Sequence, residues 1–456
     1  MNRKSTSNKT KAGRTLFVRL TALCVMAALL LSGGFGCKSE NGGAGNGTSA
    51  PAQPGATAAP AGTEGNVTFY TSSSFSSTRQ PGKVNDTFRS SYGDFALKLL
   101  RECYIDGEKS TLVSPLSVLT ALAMTANGAD NATLAEMLAV LCGGSLSIEE
   151  LNTQLFNYYE SLRSTENASF RSANALWLTD RPGVELKADY VAVVNNTFHA
   201  QLARAPLAEP ATVDAINDWC SKNTDGMIPE VLKYGDVDAN TLLVLLNALC
   251  FDAVWEAQYD SKYDVDDGTF HGAKGDQPVR MLRSKERVYL SGADEVGFVK
   301  YYKDRNFAFV ALLPDESLSV SDYLARLSGA RFAELMDNAS TRYEVRAKLP
   351  KFSLDWGNSL REILQNLGMK LAFTGDADFS KLCTEDSFIG DVIHKTHIDV
   401  DESGTRAAAV TAVMMKNEAV MTEDRVRTVV LDRPFVYAIV DTTSWLPLFI
   451  GTVNDI

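Results

Sequence analysis

Side chains able to carry acid–base, nucleophilic or metal chemistry are few in this 456-residue chain. The histidines are His199, His271, His394 and His397. No Gly-x-Ser-x-Gly elbow and no Ser-x-x-Lys pair occurs in the mature chain, so two common serine-hydrolase signatures are missing. A triad drawn from serine, histidine and aspartate far apart in sequence stays open, but no stretch points to one. Cys24 lies in an apolar leader; beyond Cys37 come Cys103, Cys142, Cys220, Cys250 and Cys383. They are odd in number and lack Cys-x-x-Cys or metal-ligand spacing, which predicts buried free thiols, no disulfide framework and no metal or cofactor. A lone His394 on an apolar strand face reads as a satisfied core residue before it reads as a catalyst.

The informative stretch runs from Ser387 to Arg433. From Phe388 to Val400 the residues alternate. Val392, His394, Thr396, Ile398 and Val400 share one face, while Lys395, His397 and Asp399 share the other, the pattern of a strand with one buried and one wet face. After Glu402-Ser403-Gly404 comes a run of small side chains, Thr405 to Val413, too apolar for a solvated linker and too small for a core strand. Counting by twos, Thr405, Ala407, Ala409, Thr411, Val413 and Met415 are small or apolar, whereas Arg406 and Lys416 fall on the other parity. That sorting suits a segment that at times slides between two strands. Ala is also the best helix former, so a helix is the alternative.

Glu402-x-Gly404-Thr405-x-Ala407-Ala408-Ala409, followed by Asp432-Arg433-Pro434-Phe435, resembles the hinge and C-terminal signature of the serpins, and of their inhibitory members in particular. The resemblance implies an exposed reactive-centre loop, an attacking protease caught as an acyl-enzyme, and insertion of the cleaved loop into a central sheet.

The elements around this stretch extend the resemblance. Residues 84–103 fit an amphipathic helix; Thr111-Leu112-Val113 runs into Ser114, which can cap a nearly apolar helix started by Pro115. Helices are expected over 131–141, 148–163, 187–202 and 213–223, and strands over 170–179, 241–255, 307–314, 343–352, 427–431, 435–441 and 448–453, the last two as an interior hairpin. Asn247 interrupts an apolar strand and must find a partner there. Helices and strands occur in mixed order, so the class is α+β. Ser114-Pro115-Leu116-Ser117, Asn174-Ala175-Leu176, Ile216-Asn217-Asp218-Trp219, Asn247-Ala248-Leu249, Trp255, Leu349-Pro350-Lys351-Phe352, Leu367-Gly368-Met369 and His394-Lys395 all fall where serpin motifs would. The resemblance implies a mixed central sheet, further sheets and about eight to nine helices. It places Ser114, Ser117, Asn247 and His394 together where strands part to admit the loop, with Trp255 at the upper end where insertion begins.

The reactive bond is placed by the family's spacing. Counted forward from Glu402 it is Glu418-Ala419; counted backward from Pro434 it falls at Glu423, because the loop is longer than the family's usual one, and Lys416 and Met415 are also candidates. Glu418 would suit a glutamyl endopeptidase, and Ala419 an elastase- or subtilisin-like enzyme; a cysteine protease also forms an acyl-enzyme. The expected role is that of an irreversible inhibitor and not an enzyme. The alternatives are a non-inhibitory binding or transport protein of the same fold, or an unrelated hydrolase.

Residues 1–36 carry six basic residues and no acid, then a short apolar run, which reads as a secretory signal peptide and not a membrane span. Gly36-Cys37 resembles a bacterial lipoprotein cleavage junction, departing from it at Gly34 and Phe35; an ordinary signal peptide with an incidental Cys37 is the alternative. Residues 37–67 are rich in Gly, Ala, Ser, Thr and Pro and are expected to be a flexible tether. Residues 68–456 then form one large domain, a monomer outside the cell. Removing the six basic leader residues from a formal charge of −12 leaves −18, which excludes nucleic acid as a natural partner.

Overall fold

The structure, a computed structural model, describes residues 61–70, 80–105, 109–162, 164–224, 226, 228–237, 241–405 and 423–456. The class is α+β, as expected. Among the described residues there are nine helices and three sheets.

The largest sheet has eight strands. Across it lie β1 (Gly62–Glu64), β2 (Val67–Phe69), β5 (Gln201–Ala205), β4 (Ala168–Thr179), β6 (Leu243–Val254), β15 (Gly404–Thr405), β14 (Ile393–Val400) and β13 (Phe352–Ser359). A six-stranded sheet takes β3 (Thr111–Val113), β18 (Pro447–Val453), β17 (Phe435–Asp441), β11 (Phe307–Pro314), β10 (Glu295–Tyr301) and β9 (Val288–Ser291). The third comprises β16 (Val426–Val430), β12 (Glu344–Pro350), β8 (Gly275–Glu286) and β7 (Val265–Gly272).

Strand periodicity divides the core. On β4, Leu176 and Leu178 join one hydrophobic cluster while Ala175 and Trp177 join another; on β6, Leu243 and Leu245 go with the first and Val244 and Leu246 with the second. Successive side chains point to opposite faces, so two buried faces require covers on both sides. One cover is helix α6 (Pro210–Asn223), through Val213, Ile216 and Cys220. The other includes helix α2 (Pro115–Ala126), whose sequence is apolar all round and whose residues are all buried. Ser114 caps α2 by accepting from the Ser117 N–H, and Pro115 stands where no N–H is needed. The β17–β18 hairpin lies buried in the six-stranded sheet, as expected. Cys103, Cys142, Cys220 and Cys383 are buried free thiols.

Several expectations need correction. The tether does not extend to residue 67: Gly62–Glu64 pairs with Val67–Phe69 as a hairpin, with Gly65 at φ +59 as the first turn residue, and β2 joins the sheet edge at β5. Val67 is buried and the Phe69 ring meets Trp177 edge-on at 6.4 Å, which anchors a stretch whose composition suggested none. The helix expected over 187–202 is α5 (Ala188–Phe198); His199 at φ +52 ends it, and Gln201–Ala205 pairs in parallel with β4. Leu202 lies four residues past Phe198, a helical spacing that hid the strand. The strand expected over 343–352 breaks at Lys351 and continues as β13 in a different sheet. The strand expected from Phe388 begins at Ile393. Strands β7 to β10 were not foreseen: exposed charges mask the alternation of β7 and β8, β9 is only four residues long, and β10 buries two charged side chains, Glu295 and Lys300, among its apolar ones. The signal peptide, Cys37 and residues 37–60 lie outside the described residues.

Candidate functional site

Strand β14 alternates as its sequence predicts: His394, Thr396, Ile398 and Val400 are buried, and Lys395, His397 and Asp399 are less so. At its end the chain reverses within four residues. The Asp401 carboxylate accepts from the N–H groups of Ser403 (2.7 Å) and Gly404 (3.1 Å), and the Asp401 N–H donates to the Gly404 carbonyl at 3.0 Å. This is the local side-chain-to-backbone bonding for which Asp is suited. The returning pair, Gly404-Thr405, lies between β14 and β6, with Thr405 opposite Val400 on one side and Ala253 on the other. A Cβ on Gly404 would stand 2.0 Å from the Ala253 carbonyl oxygen, so only glycine fits the gap. Thr405 is buried, its hydroxyl bonded to that of Tyr302.

The turn rests on the segment after β6. Trp255 N–H donates to the Ser403 carbonyl (3.0 Å), the Trp255 indole N–H to the Asp401 carbonyl (2.9 Å), and Tyr259 N–H to the Glu402 carbonyl (3.0 Å). Trp255 stacks on Tyr302 with ring centroids 4.4 Å apart. Glu402 reaches sideways to Lys351, Nζ to Oε2 at 2.7 Å. Burial alone would raise the Glu402 pKa, but the Lys351 ammonium outweighs it and holds the carboxyl below its ordinary value.

Deeper in the sheet the second group assembles. Ser114 N–H donates to His394 Nε2 at 3.0 Å, and Ser114 Oγ–H donates to the Leu448 carbonyl at 2.8 Å. Ser117 Oγ–H reaches the Asn247 carbonyl at 3.4 Å. The Asn247 amide donates to Asn174 Oδ1 and to Ser172 Oγ, which supplies the partner its position demanded; its own Oδ1 is buried with no partner among the described residues. His394 is buried, and burial lowers its pKa to about 4. The ring is therefore neutral and able to accept the Ser114 N–H.

Sequence reasoning thus located two groups. Glu402, Gly404, Thr405 and Trp255 meet at the open end of the gap, and Ser114, Ser117, Asn247 and His394 meet further down. Ala407, Ala408, Ala409, Glu418 and Ala419 lie outside the described residues. It missed the roles of Tyr302, Asp401, Lys351 and Asn174. Asp401 was legible as an Asp three residues before a Gly; for Tyr302 no local signal existed. Among the described residues no group of three or more His, Cys, Asp or Glu could hold a metal ion.

The family model described as "Serpin (serine protease inhibitor)" matches residues 90–456. Serpin B6 of Pongo abelii is 30% identical over 392 residues, covering 81% of this chain and 100% of the relative. Among solved structures, the thermophilic serpin Tengpin in its native state is 38% identical with a TM-score of 0.78, covering 83% of this chain and 96% of that one. The same protein in its latent state gives 37% identity and a TM-score of 0.72, covering 83% and 100%. The chain is therefore more similar in shape to the native form than to the latent one.

Proposed function

The chain belongs to the serpin family, and on that premise we propose that it is a secreted suicide-substrate inhibitor of extracellular serine endopeptidases. One observation carries the reading: Gly404-Thr405 already occupies the gap between β6 and β14, in register with both.

That register can be continued. Thr405 stands opposite Val400 and Ala253, so each further residue of an extending strand would meet a partner one position earlier on β14 and on β6. Ala407 would face Ile398, Ala409 would face Thr396, and Thr411 would come between His394 and Asn247. All three would share the buried face of β14, which is the parity of small side chains in the sequence. The Thr411 hydroxyl would arrive beside the orphaned Asn247 Oδ1. Strand β6 begins at Leu243, which would pair with Met415. A cut at Glu418-Ala419 would free enough chain to fill the gap.

In the proposed sequence of events, the protease serine Oγ attacks the Glu418 carbonyl and loses its proton to the enzyme's base. The Glu418–Ala419 amide breaks, and the amine leaves as a protonated N-terminus on Ala419. The ester joining Glu418 to the protease persists if insertion outruns hydrolysis. Insertion turns an exposed loop into a strand paired on both sides, so the starting state is held by kinetics. The inhibitor is a reagent consumed once. A Cys37 lipid would hold the domain outside a membrane on its tether.

The test is incubation with a panel of serine endopeptidases. An adduct stable to denaturing gel electrophoresis, with release of a C-terminal peptide, is expected with at least one. Cleavage of the loop by every protease without an adduct would instead favour a non-inhibitory member of the family.

A further inference from the structure

Lys300, at the end of β10, is 1% exposed and carries a charge into the core behind the turn. Its Nζ donates to Glu286 Oε1 at 3.0 Å and to the Ala257 carbonyl at 3.1 Å. It also lies 4.4 Å from the Tyr259 ring centroid and 5.3 Å from that of Trp255. Burial opposes the charge, but Glu286 and Tyr259 outweigh it, and the ammonium is retained. Replacing a buried ion pair by apolar groups is commonly neutral or stabilising, so this one needs a reason beyond stability.

The reason lies in what the ammonium holds. Residues 255–259 form the ledge on which the 401–403 turn rests, and every carbonyl of that turn accepts from it: Asp401 and Ser403 from Trp255, Glu402 from Tyr259, and Ser403 also from Gln258 at 3.3 Å. Lys300 grips the ledge from behind through the Ala257 carbonyl and both rings. The Glu256 N–H to Tyr301 carbonyl bond, 3.0 Å, ties the same segment to β10.

We propose that Lys300, with Glu286, is a positioning residue for the hinge: it keeps the 401–404 reversal formed before cleavage and so sets the fraction of attacking proteases trapped instead of released. This rests on the trapping function above. Fixing the turn residues costs conformational entropy before any added pairing offsets it, which makes the reversal the slow nucleus of insertion. With the nucleus in place, each added residue gains pairing on both edges. With the ledge loosened, nucleation must follow cleavage, and hydrolysis of the acyl-enzyme gains time.

The test compares the full-length protein with Lys300→Met/Glu286→Gln, which removes both charges and leaves neither orphaned. The stoichiometry of inhibition should rise on the order of three- to tenfold, the weight of about one hydrogen bond, at an unchanged rate of first cleavage. Amide hydrogen exchange at Trp255 and Tyr259 should quicken in the uncleaved protein, while that of β11 and β17 stays the same. Lys300→Gln/Glu286→Gln, which also leaves no buried charge unpaired and keeps a donor for the Ala257 carbonyl, should shift both readouts less in the same direction, and decides the matter if the first double variant does not fold. Unchanged exchange, or changed exchange with an unchanged stoichiometry, overturns the proposal. If the unaltered protein forms no adduct with any protease, the trapping function itself is overturned and the proposal falls with it; the adduct gel distinguishes that from a failure of Lys300 alone.

Discussion

The hydroxyls of Thr405 and Tyr302 share a hydrogen bond in the core, which ties the two-residue strand β15 of the large sheet to the segment that follows β10. Thr405 is 2% exposed, and Tyr302, fully buried, stacks on Trp255. Gly404-Thr405 is thus a strand two residues long between two longer ones, β6 and β14.

Thr405→Arg would bury an unpaired charge at the point of entry, a cost of several kcal/mol. The variant should be cleaved as an ordinary substrate, with no adduct on a denaturing gel. Undiminished adduct formation would show that Thr405 does not lead the insertion.

Cleavage of the loop should raise the Tm sharply, since the inserted strand gains pairing on both sides. If Thr411 reaches Asn247 and His394, Thr411→Val should reduce that rise while leaving the Tm of the uncleaved protein in place, by about 1 kcal/mol for one buried hydrogen bond. Differential scanning calorimetry of both forms measures this, and equal rises in the two proteins would exclude the register.

Burial lowers the His394 pKa from 6.5 to about 4. Between those values the unfolded chain binds a proton that the native protein does not, so stability is full above about pH 6.5 and falls as the pH drops toward 4. The ceiling on the loss is on the order of 3 kcal/mol. His397 acts in the opposite sense: although burial opposes its charge, Asp399 and Asp355 raise its pKa, so its contribution is present at low pH and lost as the pH rises. Unfolding rates in urea from pH 7 to pH 5 should rise more steeply for the wild type than for His394→Asn, in which His397 is unchanged. Parallel profiles would remove His394 as the source.

A trapped complex should release a peptide beginning Ala419-Val420-Met421, and Glu418→Arg should move inhibition toward trypsin-like proteases. Chain before the cut must span the sheet at about 3.3 Å per residue, whereas chain after it only returns to β16, where added length costs little. Mass spectrometry reads the result directly. A peptide starting at Asp424 would place the extra length before the cut.

Cys37→Ala should move the protein from the membrane fraction to the soluble one in fractionated cells. Membrane association as strong as before would exclude a Cys37 lipid as the anchor.

Local pattern was enough wherever a residue's environment follows from its neighbours in sequence. The alternation of β14 told His394 from His397, and Ser114-Pro115 marked the start of α2. What sequence could not supply was pairing between distant segments. Tyr302 is 103 residues from Thr405, and Lys351 is 51 from Glu402. Nothing in the local period of either segment names its partner. The break at Lys351, which sends one expected strand into two sheets, and the recruitment of Val67 and Phe69 to the edge at β5 were likewise decided by the fold. Backbone N–H and carbonyl groups pair with whatever edge the packed core presents, and that edge exists only once the chain has folded.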